Sequence, residues 1–346
     1  MAGSGRRRRK RNGFRIVGLL AAVLLLALLA AGAALWVIET PGGPATATIV
    51  NLAPGSSTMQ IGRELEAAGV VRNRYVFDLV HLLRRGTLKA GEYRFTHPVS
   101  TAEVYDRIER GETYTVLVTI PEGANIFDIA TRLQEAGIGT RRRFLLAAVS
   151  EVGLISDLDP QAESLEGYLF PDTYRFSPEA SEEQIAATMV HRFREVAEEL
   201  GLKQNVHSIV TIASLVERET AVKSERPLVA SVYENRMAKK MPLACDPSVI
   251  YGLELDGRWH GVIHESDLTL NTAYNTYLHT GLPPGPIANP GIPSLRAAMH
   301  PAKTNYLYFV AAGANPQGRS LFAATLSQHN RDVAGYRKAL HQAGER

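Results

Sequence analysis

Cysteine is almost missing from this 346-residue chain, where Cys245 stands alone. An internal disulfide is therefore excluded, and with it a disulfide-stapled scaffold. Acidic residues are missing from positions 1–15, which hold Arg6, Arg7, Arg8, Arg9, Lys10, Arg11 and Arg15. The formal net charge of +3 comes from that arm; the rest carries 31 basic against 35 acidic residues, a net of −4. A mildly acidic body argues against nucleic acid as a partner. Charge of either sign is missing from Ile16 to Ile38, a 23-residue apolar run. At about 1.5 Å per residue, a helix of that length crosses a hydrocarbon layer of about 30 Å. The basic arm before it predicts a cytoplasmic N-terminus and an extracytoplasmic body. Ala31-Gly32-Ala33 would suit a signal-peptide cleavage site, but the run exceeds the usual apolar segment of about 7–15 residues. A retained single-pass membrane anchor is the expectation.

What is present downstream begins with a linker, residues 39–48, rich in Pro, Gly, Ala and Thr. An internal repeat follows. Val50-Asn-Leu-Ala-Pro-Gly55 returns 68 positions later as Val118-Thr-Ile-Pro-Glu-Gly123, and Ile61, Leu65 and Gly69 return as Ile129, Leu133 and Gly137. Tyr93-Arg-Phe95 is echoed by Tyr174-Arg-Phe176. Each copy predicts a strand, a turn and an amphipathic helix, so two small α/β modules are expected over 49–112 and 113–163. The second resembles a LysM-like module, a cell-wall glycan binder; a simple spacer is the alternative.

From Ser164 the composition changes, and helices are predicted at roughly 181–200, 205–220 and 225–240, the last capped by Ser224 with Pro227 in its first turn. On the helix Val206–Thr220, with Val206 at zero, Val210 and Ala213 lie within about 40° of it and Glu217 at about 20°. One carboxylate thus falls on the face that should be buried. Burial among apolar side chains favours the protonated form, as a general acid requires. The bland alternative is a structural carboxylate paired with an arginine such as Arg236. Glu219 falls at about 220°, so it cannot face Glu217 as the two carboxylates of a hydrolytic glycosidase do, about 5 Å or about 6.5–9.5 Å apart. A partner would have to come from elsewhere, such as Asp246 or Asp172.

Seven of the eleven residues from Gly281 to Gly291 are Gly or Pro. No Lys-Ser/Thr follows, so this is no phosphate loop. It suits a rigid wall, with Tyr274-Asn275-Thr-Tyr277 beside it offering stacking faces and hydrogen bonds. His260 and His264 lack a Glu between them and a third ligand, so no metal is expected. Ser214 lacks a G-x-S-x-G setting.

Several segments together resemble the endolytic murein transglycosylase (YceG-like) family. They are Leu165-Glu-Gly-Tyr-Leu-Phe-Pro-Asp-Thr-Tyr174, Ile212-Ala-Ser-Leu-Val-Glu-Arg-Glu-Thr220, Ser224-Glu-Arg226, Val232-Tyr-Glu-Asn-Arg236, Asp246-Pro-Ser-Val-Ile-Tyr-Gly252, Thr272-Ala-Tyr-Asn-Thr-Tyr277, Gly281-Leu-Pro-Pro-Gly-Pro286, Ala298-Met-His-Pro-Ala-Lys303 and Tyr306-Leu-Tyr-Phe-Val310. The chain departs from the family pattern around Trp259–His264 and at Cys245. The resemblance implies an α+β protein with one transmembrane helix (16–38), small duplicated strand–helix modules and a mixed α+β catalytic domain over 164–346. It implies a lyase, without cofactor, that cuts the β-1,4 bond from N-acetylmuramic acid to N-acetylglucosamine in nascent peptidoglycan and leaves a 1,6-anhydro end. Peptidoglycan synthases would be its neighbours. The family's catalytic glutamate matches Glu217. Glu219, Asn235, Asp246, Tyr274, Asn275 and Tyr277 are the candidates for binding sugar. The alternatives are a hydrolytic muramidase and a non-catalytic wall-binding scaffold.

Overall fold

The structure is a computed structural model that describes residues 5–315 and 318–344, with side chains described from residue 17 onward. The basic arm's side chains and the last two residues of the expected 164–346 domain lie outside the described residues. The chain divides into two compact units, Met1–Thr115 and Val116–Arg346.

The first unit opens with helix α1 (Gly5–Glu39), whose segment Val17–Glu39 is long and apolar enough to cross a membrane. Its leucines are largely bare, as lipid-facing side chains would be. Strand β1 (Thr48–Leu52), helices α2 (Thr58–Ala67) and α3 (Arg74–Arg84), strand β2 (Gly91–Phe95) and helix α4 (Thr101–Arg110) follow. Each helix starts at a polar cap: Ser57, Asn73 and Ser100 accept from backbone N–H groups of the first turn. β1 and β2 pair antiparallel, and Leu52, Leu65, Phe77, Phe95 and Tyr105 form the core beneath them.

The second unit begins with strand β3 (Val116–Thr119), helices α5 (Ile126–Glu135) and α6 (Arg141–Ser150) and strand β4 (Thr173–Phe176). The repeat in the sequence is thus a repeat in structure, strand–helix–helix–strand in both units. Its register is the same: Val50 faces Tyr93 in one pair and Val118 faces Tyr174 in the other. In α5 the buried residues are Ile126, Ile129, Ala130 and Leu133, the helical stripe that the spacing predicts. Because β3 pairs with β4, residues on both sides of position 164 share one core.

Helices α7 (Glu182–Leu200), α8 (Val206–Glu219), α9 (Arg226–Ala238), α10 (Asp246–Leu255) and α11 (Ile292–Met299) complete that core. A hairpin of β5 (Tyr308–Ala311) and β6 (Ser320–Ala323) and helix α12 (Leu326–Gly344) end the chain. The sequence predicts that Ser224 caps α9, but it does not. It sits in a short 3₁₀ turn, Lys223–Glu225, and α9 starts without a side-chain cap, with Pro227 in its first turn.

The Gly281–Gly291 segment forms a strap: Pro284, Gly285 and Pro286 line a small pocket with Tyr274, and the residues after them are buried. Ile287, Ala288 and Asn289 are at most 2% exposed. Asn289 ties the strap to two other segments: Oδ1 accepts from the Leu169 N–H, and Nδ2 donates to Ala124 O and to Glu166 Oε1. Gly167 (φ +88°) has no room for a Cβ, because Pro286 and Val210 occupy that space. The Leu-Glu-Gly motif is therefore explained by this crossing.

Glu166 is buried and also accepts from the Ile126 N–H at 2.9 Å. Desolvation pushes its carboxyl up to about 8. Between about pH 4.5 and about 8 the folded chain holds a proton that the unfolded chain has released. Stability should fall as pH rises through that window. Melting curves of wild type and Glu166→Gln from pH 5 to pH 8.5 test this. The Gln variant, less stable at pH 5 for its lost acceptor, should lose this part of the slope. An unchanged slope would assign the pH dependence to other groups.

Candidate active site

The last turn of α8 carries Glu217. Val206, Val210 and Ala213 on the same stripe are buried, and the Glu217 side chain is only 4% exposed. Its surroundings differ from the apolar pocket expected. Oε1 accepts from Arg226 Nη2 at 2.6 Å, and Oε2 accepts from the Gly291 N–H at 3.0 Å. The paired arginine is Arg226, at the start of α9, and not Arg236. Arg236 spends its guanidinium on Leu307 O and Leu243 O. A charge-assisted bond and a backbone donor therefore hold the carboxylate in one orientation.

A second carboxylate stands nearby. Glu122 Oε2 lies 3.7 Å from the same Nη2 of Arg226, and the Glu122 side chain is 39% exposed. Its carboxyl rests on the α-carbon of Gly291, where a Cβ would collide with it. Gly123, at φ +79°, lets the chain pass close to Glu217: a Cβ there would lie 3.5 Å from Glu217 Cγ. Arg226 is itself buried, and its Nε and Nη1 have no hydrogen-bond partner among the described residues. Glu122, Arg226 and Gly291 were not singled out as site residues in the sequence. Glu122 and Arg226 lie within motifs visible there, Pro121-Glu-Gly123 and Ser224-Glu-Arg226.

The other candidates fall elsewhere. Glu219 points away from Glu217; its Oε2 accepts from Tyr233 Oη and from Cys245 Sγ, each at 3.3 Å. Desolvation pushes its carboxyl up. Asp246 accepts from Tyr277 Oη at 2.6 Å, and burial, aided by that bond, pushes the Tyr277 phenol up. Those residues form a second cluster around Cys245. Tyr274 packs edge-on against Tyr251 with centroids 5.0 Å apart, and burial pushes it up to about 12. Asn275 is fully buried and donates to Leu268 O and Leu270 O. Asn235 donates to Thr304 O and Tyr306 O. Asp172 pairs with Arg192 at 3.0 Å. Neither Asp246 nor Asp172 is the carboxylate facing Glu217; the polypeptide turn after β3 supplies Glu122 instead. Among the described residues no group of three or more His, Cys, Asp or Glu could hold a metal ion.

A sequence profile of the YceG-like family matches residues 50–335, and so spans both units. The chain belongs to the YceG-like family. Among relatives, the endolytic murein transglycosylase of Bacillus subtilis (strain 168) is 33% identical over 313 residues, covering 84% of this chain and 85% of the relative. That of Streptococcus pneumoniae (strain D39) is 29% identical over 318 residues, covering 82% of this chain. This chain spans 57% of the length of that relative. A 2.6 Å crystal structure of a protein described as YceG-like, from Listeria monocytogenes, is similar at a TM-score of 0.54 and 31% identity. It covers 83% of this chain and 99% of the Listeria chain. The mixed helix and strand architecture is thus shared with that structure.

Proposed function

We propose that this YceG-like protein is an endolytic murein transglycosylase, a lyase acting on peptidoglycan. The observation that carries the reading is the buried, doubly held Glu217 in a family whose named relatives are transglycosylases. The α1 segment anchors it in the cell membrane as a single pass, with the basic arm cytoplasmic and the folded units outside. The two strand–helix modules act as LysM-like glycan contacts or as spacers, and the synthases that extend the strand are its neighbours. Within the second unit, the 164–346 segment carries the chemistry.

The reaction cuts the β-1,4 bond from N-acetylmuramic acid to N-acetylglucosamine. Glu217 hands a proton to the glycosidic oxygen as the C1–O bond breaks. The C6 hydroxyl of the muramic residue then attacks C1, and Glu217 takes that hydroxyl's proton, leaving a 1,6-anhydro ring and a regenerated acid. Attack within one sugar needs no held water, because proximity replaces it. Arg226 regulates the proton. As the guanidinium turns from Glu217 toward Glu122, Oε1 is freed to carry it. Glu219, Asp246, Tyr277 and Tyr274 orient sugars beside the bond, while Asn235 and Asn275 shape the backbone that presents them.

A second reading rests on Glu122. Glu217 and Glu122 both approach Arg226 Nη2, at 2.6 Å and 3.7 Å, and a retaining muramidase uses a pair of neighbouring carboxylates, about 5–5.5 Å apart, as acid and nucleophile. Digestion of purified peptidoglycan by the full chain in detergent, with mass spectrometry of the released fragments, separates the two. The lyase leaves anhydro ends, lighter by one water than the reducing ends of hydrolysis. Reducing ends throughout would overturn the lyase, and an absence of release would overturn both in favour of a scaffold.

A further inference from the structure

Away from Glu217, a cleft of about 180 Å³ opens between Phe127 of α5, Arg141 of α6, Glu254 of α10 and Gly257 and Trp259 just beyond it. We infer that this cleft is a remote glycan subsite that takes one N-acetylhexosamine ring of the strand being cut. The inference rests on the peptidoglycan reading above.

The lining sets the ligand class. Trp259 is half-buried, so its indole is fixed yet reachable. The C–H face of a pyranose meets such a ring, because polarised C–H groups sit against its negative π-face. Glu254 is half-buried and keeps one oxygen on Asn125 Nδ2, at 2.7 Å. Its other oxygen is an acceptor for a sugar hydroxyl or acetamido N–H. The Arg141 guanidinium lies 5.7 Å over the Phe127 ring and pairs with no carboxylate among the described residues. It supplies donors for ring hydroxyls or the acetamido oxygen. One carboxylate and one guanidinium leave the lining without net charge, which suits a neutral, hydroxyl-rich ligand over a phosphate. The volume is below the roughly 300–1,000 Å³ of a site for a whole drug-sized ligand, and fits one ring of a longer chain.

Its position links it to the reacting bond. The segment 123–125 borders both places: Gly123 packs beside Glu217, and Asn125 bonds Glu254. Arg218, next to Glu217 on α8, donates to Gly123 O at 3.1 Å. A strand with one ring on Trp259 therefore runs toward Glu217.

Tryptophan emission tests this directly, since the chain has two tryptophans. In the full Glu217→Gln chain carrying Trp36→Phe, held in detergent, Trp259 is the sole indole. Titration with peptide-free glycan strands of eight sugars should change its emission saturably. Arg141→Ala or Glu254→Gln should raise the half-saturation concentration about tenfold. Strands that cosediment with the protein while emission stays constant would overturn the subsite, as would unchanged half-saturation in both variants. The function itself is read separately. If wild type releases anhydro fragments yet Trp259 is silent, the subsite fails and the lyase stands. If Trp259 responds and wild type releases nothing, the subsite stands and the catalytic reading fails.

Discussion

Glu217→Gln should lower the rate of strand cutting by about 10²–10⁴, the range for removal of a positioned acid–base group. The amide keeps the shape of the carboxylate and the capacity to accept from the Gly291 N–H. It cannot give up or take a proton. Because Glu217 is paired in a buried place, the same change also leaves Arg226 without its closest anion. A folding defect must therefore be separated from a chemical one. Glu217→Asp does so: it keeps the charge opposite Arg226 and draws the carboxylate back by about one methylene. A misplacement of about 1 Å is enough to cost about a hundredfold. The Asp variant should melt close to wild type and still cut poorly. If Glu217→Gln cuts at the wild-type rate, the proton shuttle lies elsewhere, and Glu122 becomes the first alternative.

Why Glu217 could be found in the sequence, and its partners could not, has a local cause. A helical wheel needs only the repeat of one element, and α8 is a continuous helix from Val206 to Glu219. The same holds for the α5 stripe; the strand registers needed the structure, because β1 and β3 are 68 positions apart but β2 and β4 are 81. Arg226 lies beyond the break at Thr220 and the 3₁₀ turn before α9, so the wheel cannot be extended to it. Glu122 arrives from the turn after β3, brought there by the strap that carries Asn289 and Gly291. Asn275 shows the opposite error. A polar residue among aromatics reads the same whether it holds a ligand or satisfies loop carbonyls, and here it does the latter. Pro and Gly mark restricted backbone but not whether it is covered, so the burial of Ile287, Ala288 and Asn289 in the strap was not legible.

Replacing Arg226 by Met should destabilise the protein by about 3–5 kcal/mol, the usual cost of leaving one partner of a buried ion pair alone. Arg226 is 4% exposed, and the Glu217 side chain is covered to the same degree. The loss is read as a fall in melting temperature. The double variant Glu217→Leu/Arg226→Met should then recover much of it. In wild type the guanidinium bonds Glu217 through Nη2, while its buried Nε and Nη1 have no partner among the described residues, so its desolvation is only partly offset. Removing both charges removes that penalty together with the bond, and apolar replacement of a buried pair is often neutral or stabilising. A double-mutant cycle should therefore show a coupling of at least about 1 kcal/mol between the two positions. Additive losses would mean that the two side chains are stabilised by separate neighbours. If the double variant is stable but inert, the pair is retained against its own cost in stability, as expected of charges kept for chemistry.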